Sequence, residues 1–382
     1  MLSLHALTLD GRLLFSTRIV RLFAYGFLSV VLVLYLMQAG LSETQIGLLL
    51  TLTLIGDTVI SLWITMAADR LGRRRMLVAG AALMIFAGVL FALTKNFIIL
   101  LIAATIGVIS PSGYEVGPFL SIEQAALSHA VPDRERTRVF AWYNLVGSFA
   151  TASGALSGGM IAQALQGFEF TAFETYHLMV FSYAAIGLML ALLFMRLSSA
   201  VEVHDGRENN LFPAPMPLLG LHRSRGVVLK LSALFALDAF AGGFVLQSIM
   251  AYWFQIRFQV EPAVLGSIFF GANVLAGLSA LAAVRVASRI GLIKTMVFTH
   301  IPSNILLMLV PLMPSLPLAV AVLLIRFSIS QMDVPTRQSY IMAVVSPDER
   351  SAAAGVTGVA RTIRSARCPL SSSAPCLPPL RC

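Results

Sequence analysis

Cysteine is confined to the far end of this 382-residue chain, at Cys368, Cys376 and Cys382. The body therefore has neither a disulfide nor a thiolate metal site, and the spacing of the three matches no zinc pattern. Lysine is equally scarce. Only Lys95, Lys230 and Lys294 occur, none after a glycine, which excludes a phosphate-binding loop and ATP as the energy source. Six histidines, His5, His129, His177, His204, His222 and His300, are scattered without metal-ligand spacing, so neither a metal nor a cofactor is expected. Polar groups gather at no single interface as a membrane enzyme's would, and an enzyme is not expected. Charged residues of all kinds make up 12% of the chain, about half the usual share. Water is not the main solvent of such a chain.

What it has in quantity is apolar sequence: 58% of residues are hydrophobic and the mean hydropathy is +0.84. Apolar stretches of about 20 residues, each able to cross a hydrocarbon core roughly 30 Å thick as a helix, recur along the whole length. Ten are complete and an eleventh begins. The expected spans are 15–37, 44–66, 76–94, 97–127, 139–162 and 176–195, then 228–252, 263–284, 293–313 and 318–345. The first run is of spanning length and lacks a small-x-small cleavage site, so it is not a cleaved signal. The net charge of +9 does not point to nucleic acid, because the basic residues occupy short loops and make no basic face. They follow membrane topology instead. Arg70, Arg73, Arg74, Arg75, Arg134, Arg136, Arg138, Arg196, Arg285 and Arg289, with Arg12, Arg18 and Arg21, fall on one side, and Lys95 and Arg257 on the other. The N-terminus is expected on the cytoplasmic side of a cell (inner or plasma) membrane.

The two parts of the chain repeat. Phe23-Ala24-Tyr25-Gly26-Phe27 matches Phe240-Ala241-Gly242-Gly243-Phe244, and Tyr35 falls on Tyr252. Gly47 and Gly72 recur as Gly266 and Gly291, Glu115-Val116 as Asp333-Val334, and Pro132-Asp133-Arg134 as Pro347-Asp348-Glu349. An ordered series of this kind indicates duplicated halves with a cavity between two bundles. The expected organisation is an N-terminal six-helix bundle at 1–195, a polar linker at 196–227, an incomplete C-terminal bundle at 228–366 and an aberrant tail at 367–382.

After the second span the chain reads Ala67-Ala68-Asp69-Arg70-Leu71-Gly72-Arg73-Arg74-Arg75, with Thr65 four residues before Asp69. This resembles the Gly-x-x-x-Asp-Arg-x-Gly-Arg-Arg signature of the major facilitator superfamily, with Thr65 at its first glycine. A degenerate copy, Ser288-Arg289-Ile290-Gly291-Leu292-Ile293-Lys294, follows the eighth span. The resemblance implies an all-α integral membrane protein of two six-helix pseudo-repeats, the twelve-helix fold, here with about ten helices and the start of helix 11. It also implies a cytoplasmic gate in which Asp69, Arg70, Gly72, Arg73 and Arg74 latch onto helix 11, whose start is read at Ser346-Pro347-Asp348-Glu349. The alternative is that these charges are only topology signals.

Ionisable residues inside a membrane cost about 2.5 to 3.5 kcal/mol each on insertion scales and need a reason. Asp57, Glu115, Glu123, Asp238, Arg326, Asp333 and Arg337 lie in the spans and form the candidate substrate and proton cavity. Arg326, Ser330, Asp333, Arg337 and Tyr340 are three or four apart, so they share one helical face. Asp57 and Glu115 have no cation in their own spans and are the candidate proton carriers, or else structural partners within the bundle. Pro111, Gly113, Gly117 and Pro118 loosen the span around Glu115.

From Ser365 onward prolines crowd the chain and no spanning helix is possible. A shifted reading frame or an assembly error explains this most simply; the alternative is a natural short form whose tail is disordered. The expected function is secondary active transport of a small organic solute by alternating access, coupled to protons, with efflux favoured over uptake. A non-transporting truncated membrane protein, a sensor or a partner of an intact copy, is the alternative. The expected partners are solute, protons and the lipid bilayer, with neither nucleic acid nor ATP.

Overall fold

The apolar windows fold as helices because a backbone in hydrocarbon must satisfy its polar groups within its own segment. The computed structural model describes residues 8–115, 118–130, 133–202, 228–234 and 246–333, with the single positions 226, 336 and 340. Among these, the elements are α1 (Leu9–Ser29), α2 (Leu32–Gln38), α3 (Glu43–Leu71), α4 (Arg73–Leu93), α5 (Phe97–Ile106) and α6 (Phe119–Ala130). Then come α7 (Asp133–Gly167), α8 (Ala172–Met195), α9 (Gln247–Phe258), α10 (Pro262–Ile290), α11 (Leu292–Leu309) and α12 (Leu316–Ser330). Six described helices are long and apolar enough to cross a membrane, or seven if α1 and α2, bent by 44°, count as one span. α5 and α12 are shorter apolar helices.

Helix starts are capped from the sequence. Ser42 with Gln45 and Thr171 with Glu174 make full capping boxes before α3 and α8, and Asn96 accepts from two amides at the start of α5. The bend between α1 and α2 follows Ser29, whose hydroxyl bonds back to the Gly26 carbonyl. Such side-chain bonds into the helical ladder bend helices.

The described residues form two compact units. One holds those up to 202 together with 246–270, and the other holds 226–234 and those from 271 onward. In the first unit α1 lies against α7 at backbone contact. A Cβ built at Gly26 would stand 2.1 Å from the Thr151 carbonyl oxygen, and one at Gly154 would stand 2.0 Å from that of Phe23. Small residues let membrane helices approach this closely.

The fourth span differs from the continuous helix expected over 97–127. α5 ends at Gly107, whose backbone is extended, and α6 begins only at Phe119. Pro111 offers no N–H to a helical ladder and Gly113 sits at φ +73°, so the described residues 107–115 leave the helix. Non-helical backbone at membrane depth survives only where protein or water satisfies it. Here the Tyr183 hydroxyl donates to the Val108 carbonyl, Ser110 to that of Tyr114 and Thr151 to that of Gly113. The Pro111 carbonyl accepts from the backbone N–H of Ser248 at 3.1 Å and from its hydroxyl at 2.5 Å.

Candidate functional site

Arg18 and Arg21 are three residues apart on α1 and so project from one face. Counted from sequence among the loop charges, both are instead enclosed by the first unit. Arg18 donates from Nη1 to Glu115 at 2.7 Å, from Nε to the Tyr143 carbonyl at 2.8 Å and from Nη2 to Asn144 Oδ1 at 3.2 Å. Arg21 donates from Nε to Glu115 at 2.8 Å and from both Nη atoms to Glu123, at 2.8 and 2.7 Å. Thr17 adds a bond to Glu123 at 2.9 Å, and the Tyr143 hydroxyl donates to the same carboxylate. The guanidiniums also lie over rings, Arg18 at 4.2 Å from Tyr143 and Arg21 at 4.6 Å from Phe119. Two cations thus face two carboxylates, which makes so deep a cluster tolerable.

Exposure is graded across the cluster. The side chains of Arg21 and Glu123 are 0% exposed, that of Arg18 7% and that of Glu115 14%. Glu115 is the one member carried by the non-helical break, and the break is also where Gln247 and Ser248 dock. Gln247 Nε2 donates to Ser29 Oγ at 2.8 Å, beside Gly113.

The other expected site residues are distributed as follows. Asp57 is buried in α3 and accepts a 3.4 Å bond from Ser61. In the second unit Arg326 lies 4.8 Å over the Phe327 ring, and Asp333 is buried with His300 Nδ1 3.9 Å from its carboxylate. His300 was not expected there. Asp238 and Arg337 lie outside the described residues, as does the expected start of helix 11.

At the signature loop Gly72 takes φ +101° between α3 and α4, which only glycine adopts without strain. The side chains of Asp69 and Arg70 lie outside the description. Arg73 is buried and Arg74 exposed. Their backbone N–H groups both donate to Glu202, at 2.6 and 3.1 Å, so a carboxylate from beyond α8 caps α4. Arg18, Arg21, Tyr143 and Glu202 were missed from sequence as site residues. Only the arginine pair had a usable signal, two charges at helical spacing inside an apolar span.

The Major Facilitator Superfamily pattern matches residues 14–366. The chain belongs to the major facilitator superfamily. This facilitator is 32% identical over 385 residues to the uncharacterised membrane protein YJR124C of Saccharomyces cerevisiae, covering 94% of the chain and 86% of the yeast protein. The quinolone resistance protein NorA of Staphylococcus aureus is 24% identical over 185 residues, or 48% of this chain and 42% of that protein. Among solved structures, a bacterial homologue of the human lysosomal transporter Spinster superposes with a TM-score of 0.70 at 17% identity, covering 94% of this facilitator and 80% of that chain. A D-xylose–proton symporter gives 0.67 at 15% identity, covering 94% and 89%. Those two likenesses are of fold: two helix repeats in a multi-pass membrane protein. By family the chain is a secondary transporter.

Proposed function

We propose that this facilitator moves a small organic solute by alternating access between its halves, 1–195 and 228–366, joined by the linker at 196–227. Its transport is coupled to protons, and efflux is the favoured direction. The carrying observation is the buried four-charge cluster of Arg18, Arg21, Glu115 and Glu123, set at the non-helical break of a span. Membrane proteins retain intramembrane charges chiefly where solute or ions pass, and broken helices line binding cavities in transporters. Asp57 is the proton carrier in this reading; Glu115, the other candidate, is ion-paired with Arg18 and Arg21 and joins Asp238, Arg326, Asp333 and Arg337 in the cavity. Asp69, Arg70, Gly72, Arg73 and Arg74 form the cytoplasmic gate, with the N-terminus inside a cell membrane. Similarity to a quinolone resistance protein over 48% of the chain supports efflux.

The purified full chain in liposomes with an imposed pH gradient tests this. Solute-dependent proton movement, lost in Asp57→Asn, is the expected result. Solute flux indifferent to the gradient removes proton coupling, and no flux with any solute leaves a non-transporting membrane protein.

A further inference from the structure

We infer that the solute carries a carboxylate, and that this group exchanges with Glu115 on the guanidiniums of Arg18 and Arg21; the inference rests on the transport reading above. The four charges of the cluster are not equivalent. Glu123 is fully enclosed, and its oxygens take bonds from Arg21, Thr17 and Tyr143. It is the fixed anion. Glu115 is the most exposed of the four and stands on non-helical backbone two residues after Gly113, itself in a left-handed conformation. A carboxylate so placed can leave by backbone rotation, without unwinding a helix or breaking into the core.

What it leaves behind is a built anion seat. Arg18 keeps its bonds from Nε to the Tyr143 carbonyl and from Nη2 to Asn144, so its plane stays where it is and Nη1 still points at the vacated position. Arg21 is pinned by Glu123 from both Nη atoms, and its Nε faces the same position. Three charge-assisted donors from two fixed planes, Arg18 Nη1 and Arg21 Nε and Nη2, match the geometry of a carboxylate. Charge decides the class of occupant. With Glu115 gone, two guanidiniums face one carboxylate, and only an anion restores balance in so enclosed a place. A cationic solute there meets uncompensated repulsion, and a neutral one leaves the excess charge unpaired.

The test uses the purified full chain in detergent, with acetate, formate and acetamide as probes and the unfolding temperature as readout. In Glu115→Ala, acetate and formate are expected to stabilise saturably while acetamide does not. The wild type is expected to need at least about tenfold more acetate, because Glu115 competes as a tethered carboxylate. Adding Arg18→Gln to Glu115→Ala should weaken the acetate response about tenfold. Glu115→Gln, which keeps the side-chain volume, carries the same comparison if the alanine variant does not fold. Equal responses to acetate and acetamide, a response unchanged by Arg18→Gln, or no acetate response in either Glu115 variant overturns the inference. Flux through the wild type separates this from the reading beneath it. Transport in liposomes of an organic ammonium ion but not of benzoate keeps the transporter and overturns the carboxylate seat. An intact acetate response without any solute flux overturns the transporter alone.

Discussion

Arg21 and Glu123 meet at 2.7 Å with both side chains wholly enclosed, one on α1 and one on α6. Removing Arg21 leaves Glu123 without a cation where water cannot reach it, and removing Glu123 leaves two guanidiniums on Glu115 alone; an uncompensated buried charge costs about 3–5 kcal/mol. Glu123→Met is therefore expected to lower stability in detergent by that amount, and Arg21→Met by a similar one. The double variant should lose less than the two singles added together, because neither charge is left to strand the other. Denaturant unfolding of the four proteins gives the coupling directly. Additive losses would show that the pair is not energetically linked.

Backbone contact between α1 and α7 gives a steric expectation. A Cβ at Gly26 stands 2.1 Å from a carbonyl oxygen that no rotamer change can move, whereas one at Gly167 meets nothing within 4 Å. Gly26→Ala should lower stability by about 1–3 kcal/mol or more, the range for overpacking a tight interface, and Gly167→Ala should leave the unfolding temperature where it was. Equal effects of the two substitutions would mean that α1 and α7 are not in backbone contact.

The spans were legible where apolar residues ran unbroken between capping residues. Expected limits of 44–66, 76–94 and 176–195 fall within or close to α3, α4 and α8, because Ser42 and Thr171 cap α3 and α8 at the edge of their apolar runs and Gly72 breaks the chain before α4. The break in the fourth span was half legible. Pro111, Gly113 and Pro118 were visible, but proline and glycine are common in membrane helices, and only the cross-chain bonds from Ser248, Thr151 and Tyr183 show the segment satisfied without a helix. The site was read from one side only. Glu115 and Glu123 stood out as intramembrane acids, but their partners lie on α1, with Arg18 97 residues before Glu115. Near the start of a span an arginine reads as a topology charge, and no local periodicity ties it to an acid so far along the chain. Glu202 gave no signal at all, since its role depends on where the chain turns after α8.

That turn leads to a local expectation. Glu202 accepts from the amides of Arg73 and Arg74, two of the donors that the first turn of α4 leaves without helical partners. Glu202→Gln removes the negative charge from this position and should cost about 1 kcal/mol, the usual worth of an N-terminal cap. Hydrogen exchange at the start of α4 should accelerate about fivefold, as that energy implies, with the middle of the helix unaffected. Unchanged exchange would mean that the carboxylate does not hold the loop in solution.

The break itself yields a test that separates backbone strain from contact. Gly40 and Gly113 both hold left-handed backbone, at φ +92° and +73°, so an alanine at either position carries a similar conformational cost of about 1–2 kcal/mol. Their surroundings differ. A Cβ at Gly40 meets nothing within 4 Å, but one at Gly113 comes 3.0 Å from Ser29 Oγ and 3.3 Å from Gln247 Nε2. Those two atoms share the 2.8 Å bond that ties the start of α9 to α1. Gly113→Ala must therefore push that bond apart as well as strain the chain, and Gly40→Ala only strains it. The Gly113 variant should lose more stability than the Gly40 variant and, if the break moves during transport, should also slow solute flux out of proportion to that loss. Matching stability losses and matching fluxes would reduce Gly113 to a turn residue and leave the docking of α9 on the break without functional weight.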